Sequence, residues 1–330
     1  MTHAQPLVEV WRGGRLESCH AGHAVIWGEG GVVESWGNPD AIIFPRSSCK
    51  MIQALPLLES GAADAAGLTD RQLALACASH QGAALHVEAT GRWLAGLGLG
   101  ESDLRCGAHE PYDRDERNRL IRADEAPCQL HNNCSGKHCG FVTWTKHMKA
   151  GPEYVDPDHP LQRAIRQATE EVCGETVAGF GIDGCSAPNF ATSLAGLARA
   201  MQAFAAAQDS GDARARAMVR LRNAMATHPE MVAGEGRACT ELMRAMGGRV
   251  AIKTGAEAVF VAMIPDRKLG LALKIADGGT RAAEAAVVAL LVRLGALDAA
   301  HPMAQKRLPA VQRNWRGLET GELRLAAGFA

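Results

Sequence analysis

Aromatic side chains are scarce in this 330-residue chain: Tyr, Phe and Trp together make up 5% of it, and only two are tyrosines. A core with so few rings has to close by packing small residues tightly, and Ala and Gly are abundant. An excess of either charge is also lacking, since 35 Lys and Arg face 36 Asp and Glu for a net charge of −1. That balance gives no electrostatic footprint for nucleic acid or another polyanion. The most apolar stretch, residues 282–297, is too short to span a bilayer and carries Glu284 and Arg293, so no membrane association is expected. The first six residues hold no basic segment followed by an apolar run, so nothing there reads as a signal peptide. Repeats, low-complexity tracts and linkers are absent, and residues 1–330 read as a single domain.

Cysteine, by contrast, is plentiful, with ten along the chain. Spread over this length and without a secretory signal, they read as free thiols and metal ligands in a reducing cytoplasm.

Residues 7–43 read as strands broken at Gly13-Gly14 and at Gly28 to Gly31. A helix is predicted from Ser47 or Ser48, carrying Met51, Ile52, Leu55 and Leu58 on one side. Further helices are predicted over 70–77, 85–97, 160–173, 188–207, 212–227 and 280–297. Residues 106–140 are rich in Pro, Asn, Cys and His and read as irregular loop. Strands are predicted over 249–253, 258–264, 269–275 and 322–325, with Asp266-Arg267 as a hairpin turn. The fold class is therefore α/β (α+β). Strands from both ends share one antiparallel sheet, helices pack on it, and a helical region lies beside it.

The chemistry-bearing residues fall into short clusters. Ser47-Ser48-Cys49-Lys50 is a Ser-x-x-Lys motif. On a helix Lys50 points back towards Ser47 one turn earlier, where a desolvated amine can take the hydroxyl proton. Lys253-Thr254-Gly255 lies on a late strand, in the order found in penicillin-recognising serine enzymes, and Cys77-Ala78-Ser79-His80 lies between the two. Ser79 fits a second serine. His80 is a candidate for substrate contact, the alternative being a hydrogen-bonded structural histidine. A second cluster joins residues 131–139 to residues 181–189. Cys134, Cys185, His138 and Asp183 there have the donor atoms zinc accepts, in a spacing that matches no common ribbon or finger. The alternative is buried unliganded thiols.

Together, residues 46–57, Cys77-Ala78-Ser79-His80, residues 131–138 and residues 181–189 resemble the rhizobial-type, inducible L-asparaginases, which are distinct from bacterial asparaginases that use threonine. The resemblance extends from about Val8 to the last strand. It implies a fold like serine β-lactamases and glutaminases, a homodimer, and two Ser-Lys pairs, Ser47 with Lys50 and Ser79 with Lys253. Lys274 on a neighbouring strand competes with Lys253. It also implies zinc held by Cys134, Lys137 and Cys185, with the lysine neutral, because an ammonium has no lone pair to offer. Cys139 stands where an alanine is expected, and Ala83-Ala84-Leu85 where a charge is expected. The implied reaction is hydrolysis of L-asparagine through a serine acyl-enzyme, with Arg46, His138 and Asp183 contacting the substrate head group. The rivals are a penicillin-binding or β-lactamase-like acyl-serine hydrolase, which leaves the Cys134 and Cys185 loops unexplained, and a non-catalytic zinc-binding protein.

Overall fold

The computed structural model describes residues 3–329. Strands β1 (Gln5–Arg12) and β2 (Arg15–Gly28) form a hairpin. Gly13 and Gly14 close it at φ values of 55° and 76°, the left-handed pair that a two-residue turn of this hand requires. Strand β3 (Gly31–Trp36) folds back on β2, and β4 (Ile42–Ile43) leads to the Ser-x-x-Lys motif. Strands β5 (Phe180–Ile182) and β6 (Pro188–Phe190) pair with each other, and β7 (Thr192–Ser193) pairs with β4. Strands β8 (Ala251–Gly255), β9 (Val259–Ile264) and β10 (Leu269–Ile275) form a meander, followed by β11 (Val311–Arg313) and β12 (Glu319–Leu325). The main sheet runs β11-β12-β1-β2-β10-β9-β8, with β3 also on β2. The two ends of the chain meet where β1 pairs with β12, and β2 pairs with β10. This is the antiparallel sheet of terminal strands that the sequence pattern predicts.

Every residue of β9 is buried. Successive strand residues point to opposite faces, so an unbroken buried run means that both faces are covered. The helices Leu194–Ala206 and Thr280–Arg293 pack on β9 and β10. Small residues allow the close approach: a Cβ on Gly270 would lie 2.1 Å from Gln202 N and 2.2 Å from Ala198 O. The same device seats the helix Ser135–His147, where a Cβ on Gly136 would lie 2.4 Å from Leu75 O.

Three predicted elements differ. The helix expected from Ser47 breaks into a 3-10 turn, Arg46–Cys49, and short helices Lys50–Gln53 and Leu55–Glu59. Pro56 sits at the start of the last piece, where its ring and missing N–H prevent a continuous helix. The expected loop over 106–140 contains the helix Arg114–Ala123 and the start of Ser135–His147. Asp113 caps the first by accepting from Glu116 N at 2.9 Å. The second is buried from Ser135 to Thr145, so it lacks the amphipathic period by which helices are recognised. Residues 188–193 form strands instead of the predicted helix, and Ser193 Oγ caps the helix that follows by accepting from Gly196 N at 2.8 Å. Among the described residues no helix is long and apolar enough to cross a membrane.

Gly270→Ala is expected to destabilise the fold by about 1–3 kcal/mol through overpacking, read as a lower urea unfolding midpoint. An unchanged midpoint would mean that the helix can move off the sheet without cost.

Candidate active site

Lys50 is 1% exposed, and a buried ammonium needs acceptors. It finds four. Its Nζ donates to Ser79 Oγ at 3.0 Å, Cys134 Sγ at 3.0 Å, Asn133 O at 3.5 Å and, most closely, Ala78 O. The expected pairing of Lys50 with Ser47 therefore gives way to a bond with Ser79. This side chain enters an acceptor cage built by two other segments. Ser48 is fully buried and donates to Pro45 O at 2.7 Å, whereas Ser47 is half-buried.

Lys253 is 0% exposed, and its Nζ donates to Thr254 O at 2.8 Å. Burial pushes its pKa down to about 7, with the nearby Lys50 charge acting in the same direction. The strand reaches the serine turn through Gly255, where a Cβ would lie 2.6 Å from Pro45 O and 3.1 Å from Ser48 N. The close backbone approach expected of Lys-Thr-Gly is thus present, although Lys253 makes no bond to Ser79. The competing Lys274 donates to Ile275 O and Glu257 O, with the latter at 2.6 Å. It lines the cleft that Arg46 and Glu257 also border.

The two cysteine loops meet. Lys137 Nζ donates to Cys185 Sγ at 3.1 Å. The Cys185 thiol is held well below its usual range, by the hydrogen bond from Cys134 first and then by the Lys137 charge against the cost of burial. Cys134 is pushed up in turn, by that same bond and by burial. Burial opposes the Lys137 ammonium, but the two sulfurs outweigh it and raise its pKa. His138 accepts or donates at Nδ1 to Tyr154 Oη at 2.9 Å, and its buried Nε2 has no hydrogen-bond partner. Among the described residues no three His, Cys, Asp or Glu side chains form a metal-holding group. The set here is two sulfurs and an amine, with an unpartnered imidazole nitrogen beside them. Thiolate, neutral amine and imidazole are all ligand types that suit zinc, so the residues fit such an ion.

Arg46 directs Nε and Nη2 to Asp183 Oδ1 at 3.1 and 2.7 Å. Its φ is 53°, an uncommon conformation for a side-chain-bearing residue, and Asn189 Oδ1 holds it there by accepting Arg46 N at 3.2 Å. Arg46 also borders a cleft of about 420 Å3 together with Ile42, Phe44, Glu257 and Lys274. His80 does not face the site with a free nitrogen. Its Nε2 meets Ser135 Oγ at 2.9 Å, its Nδ1 accepts from Gly82 N at 3.1 Å, and its ring stacks on His86. The structural reading of His80 is the one its geometry favours. Sequence reasoning missed Glu257, whose only signal was its place just after Lys-Thr-Gly.

The sequence model of the L-asparaginase II family matches residues 8–325. The chain belongs to that family. No curated protein matches it. Among solved structures, a beta-lactamase from Mycobacterium bovis is similar at 12% identity and a TM-score of 0.46, over 82% of this chain and 94% of that one. The octameric penicillin-binding protein homologue from Pyrococcus abyssi is similar at 12% identity and a TM-score of 0.39, over 90% and 80% of the respective chains. Family membership supports a hydrolase with a small-molecule substrate.

A base must be neutral to accept a proton, and Lys253 is protonated below its pKa. The kcat/KM for the amide substrate is therefore expected to climb with rising pH along a limb centred near the Lys253 value of about 7, then level off. A pH–rate profile that is flat from acid to alkaline conditions would remove Lys253 from the proton path.

Proposed function

We propose that this member of the L-asparaginase II family hydrolyses L-asparagine to L-aspartate and ammonia through an acyl-enzyme on Ser47. The observation that carries the reading is a pair of buried amines: Lys50 bonded to Ser79, and Lys253 brought down to about 7 on the strand whose Gly255 touches the Ser47 turn. Of the three hydroxyls, Ser47 is the one a substrate can reach, because Ser48 is sealed against Pro45 and Ser79 is 8% exposed.

In this mechanism neutral Lys253 takes the Ser47 proton as the oxygen attacks the side-chain carboxamide carbon. Main-chain N–H groups at the turn stabilise the oxyanion. Lys50 donates to Ser79, which passes a proton to the departing nitrogen, and ammonia leaves. Water then hydrolyses the aspartyl ester: its proton passes through Ser79 to Lys50, which gave one up to the ammonia, and Lys253 returns its proton to the Ser47 oxygen as the ester bond breaks, so both amines are reset. The substrate's α-carboxylate is assigned to Arg46, and its α-ammonium to Asp183 or Glu257, which border the approach. His138 contributes from behind the sulfurs.

Cys134, Lys137 and Cys185 are the residues that would hold zinc, and a zinc ion there supplies a positive centre for orienting the head group. Cys134 and Lys137 are both pushed towards their protonated forms, and each must give up a proton to become a ligand. Zinc uptake is therefore expected to release protons, measured by calorimetry in buffers of different ionisation enthalpy. Cys134→Ser and Cys185→Ser should lose the metal, and full occupancy in both would dismiss the site.

Ser47→Ala is expected to abolish ammonia release from L-asparagine while the protein stays folded, and Ser79→Ala to impair it severely. Glutamine, one methylene longer, should be the poorer substrate by about 1–3 kcal/mol in kcat/KM. Equal specificity constants for the two amides would contradict the substrate assignment. Normal turnover by Ser47→Ala with an inert Ser79→Ala would move the nucleophile to Ser79.

A further inference from the structure

The cleft of about 420 Å3 beside Arg46 has the size of pockets that hold ligands larger than one amino acid. Its lining is of two kinds. Arg46, Glu257 and Lys274 supply charge, and Ile42, Phe44 and Ala178 supply an apolar wall. Ile42 is 57% exposed and Phe44 48%, so this wall is open to a ligand. Free asparagine has no apolar group to lay on it, and its head group is assigned to Arg46 and to Asp183 or Glu257. Lys274 is left over. It is 6% exposed, and its Nζ donates to Glu257 O at 2.6 Å and to Ile275 O at 2.5 Å. An ammonium has three N–H groups, so one remains, and among the described residues no carboxylate pairs with it. The turn that Lys274 holds is itself unusual. Glu257 and Ala258 stand at φ values of 59° and 58° between the paired residues Gly255 and Val259, where Asn or Gly is the usual choice. A glutamate kept there puts a carboxylate on the cleft.

We propose, resting on the acyl-transfer reading above, that this cleft receives asparagine extended through its carboxyl group: a dipeptide of asparagine followed by an apolar residue. Arg46 uses Nε and Nη2 on Asp183, which leaves Nη1 to donate to the carbonyl of the asparaginyl unit. The free α-ammonium keeps its acidic partner. The second side chain lies against Ile42 and Phe44, and the terminal carboxylate accepts the remaining N–H of Lys274. Extension through the amino group fits worse, because it carries a second ammonium towards Lys274. The reaction is unchanged: the oxygen of water replaces the side-chain nitrogen, which leaves as ammonia, and the peptide bond stays intact.

The test measures ammonia release by the full-length protein, above the protein-free rate, from L-asparagine, L-asparaginyl-L-leucine, L-asparaginylglycine and L-asparaginyl-L-leucinamide. The leucine dipeptide is expected to be turned over with a KM below that of asparagine. Its kcat/KM should exceed that of the glycine dipeptide and that of the leucinamide by about tenfold each, for the lost apolar contact and the lost charge-assisted bond. Lys274→Met should erase the difference between acid and amide, and Ile42→Ser that between leucine and glycine. Both are ratios within one protein, so a general loss of activity does not imitate them. Turnover of asparagine with no ammonia from the leucine dipeptide would overturn the inference and leave the asparaginase reading standing. Equal values for the three dipeptides would also overturn it, and no ammonia from any of the four compounds would overturn both.

Discussion

Two lysines are buried almost completely within reach of each other's charge, and both cannot comfortably remain ammonium ions. The chain resolves this by giving them opposite surroundings. Lys50 is met by two carbonyls, a hydroxyl and a sulfur drawn from the segments around Ser79 and Cys134. Lys253 has one carbonyl of its own strand and is pushed towards the neutral form. In the proposed mechanism this difference in environment makes Lys253 the base and leaves Lys50 bonded to Ser79. The short helices after Ser47, the turn that follows Ala78 and the late strand β8 have to converge for this to hold. Gly255 permits the last of those approaches.

The sulfur cluster depends on the same convergence. Cys134 is both a neighbour of Lys50 and a partner of Cys185, so the proposed metal centre and the proton-transfer groups share a wall. Lys137 comes from the first turn of a helix buried among its neighbours, seated by Gly136 against Leu75. The Asp183 segment is tied on by Arg46, whose backbone is left-handed. In the proposed function, substrate recognition and the nucleophile come from consecutive residues.

Much of this was legible in the sequence. The break at Gly13-Gly14 and the strands expected over 258–264 and 269–275 carry local signals, in turn glycines and short apolar runs. The clusters around Ser47, Ser79, Cys134, Cys185 and Lys253 do converge. What sequence spacing could not supply was the direction of long side chains. Three residues on a helix suggest that Lys50 faces Ser47, yet acceptors on the segments around Ser79 and Cys134 decide where Nζ goes. The bond between His80 and Ser135 shows the same limit, since it joins two segments whose meeting no local pattern encodes. The helix Ser135–His147 was hidden because burial on all sides erases amphipathic periodicity.

The central claim is that the covalent intermediate forms on Ser47, with the Lys50–Ser79 pair as proton donor. Rapid acid quenching during L-asparagine turnover, followed by peptide mass mapping, reads it most directly. An aspartyl ester on the peptide containing Ser47, absent from unreacted protein, is the expected result. An adduct on Ser79, or turnover with no adduct on any serine, would contradict the account.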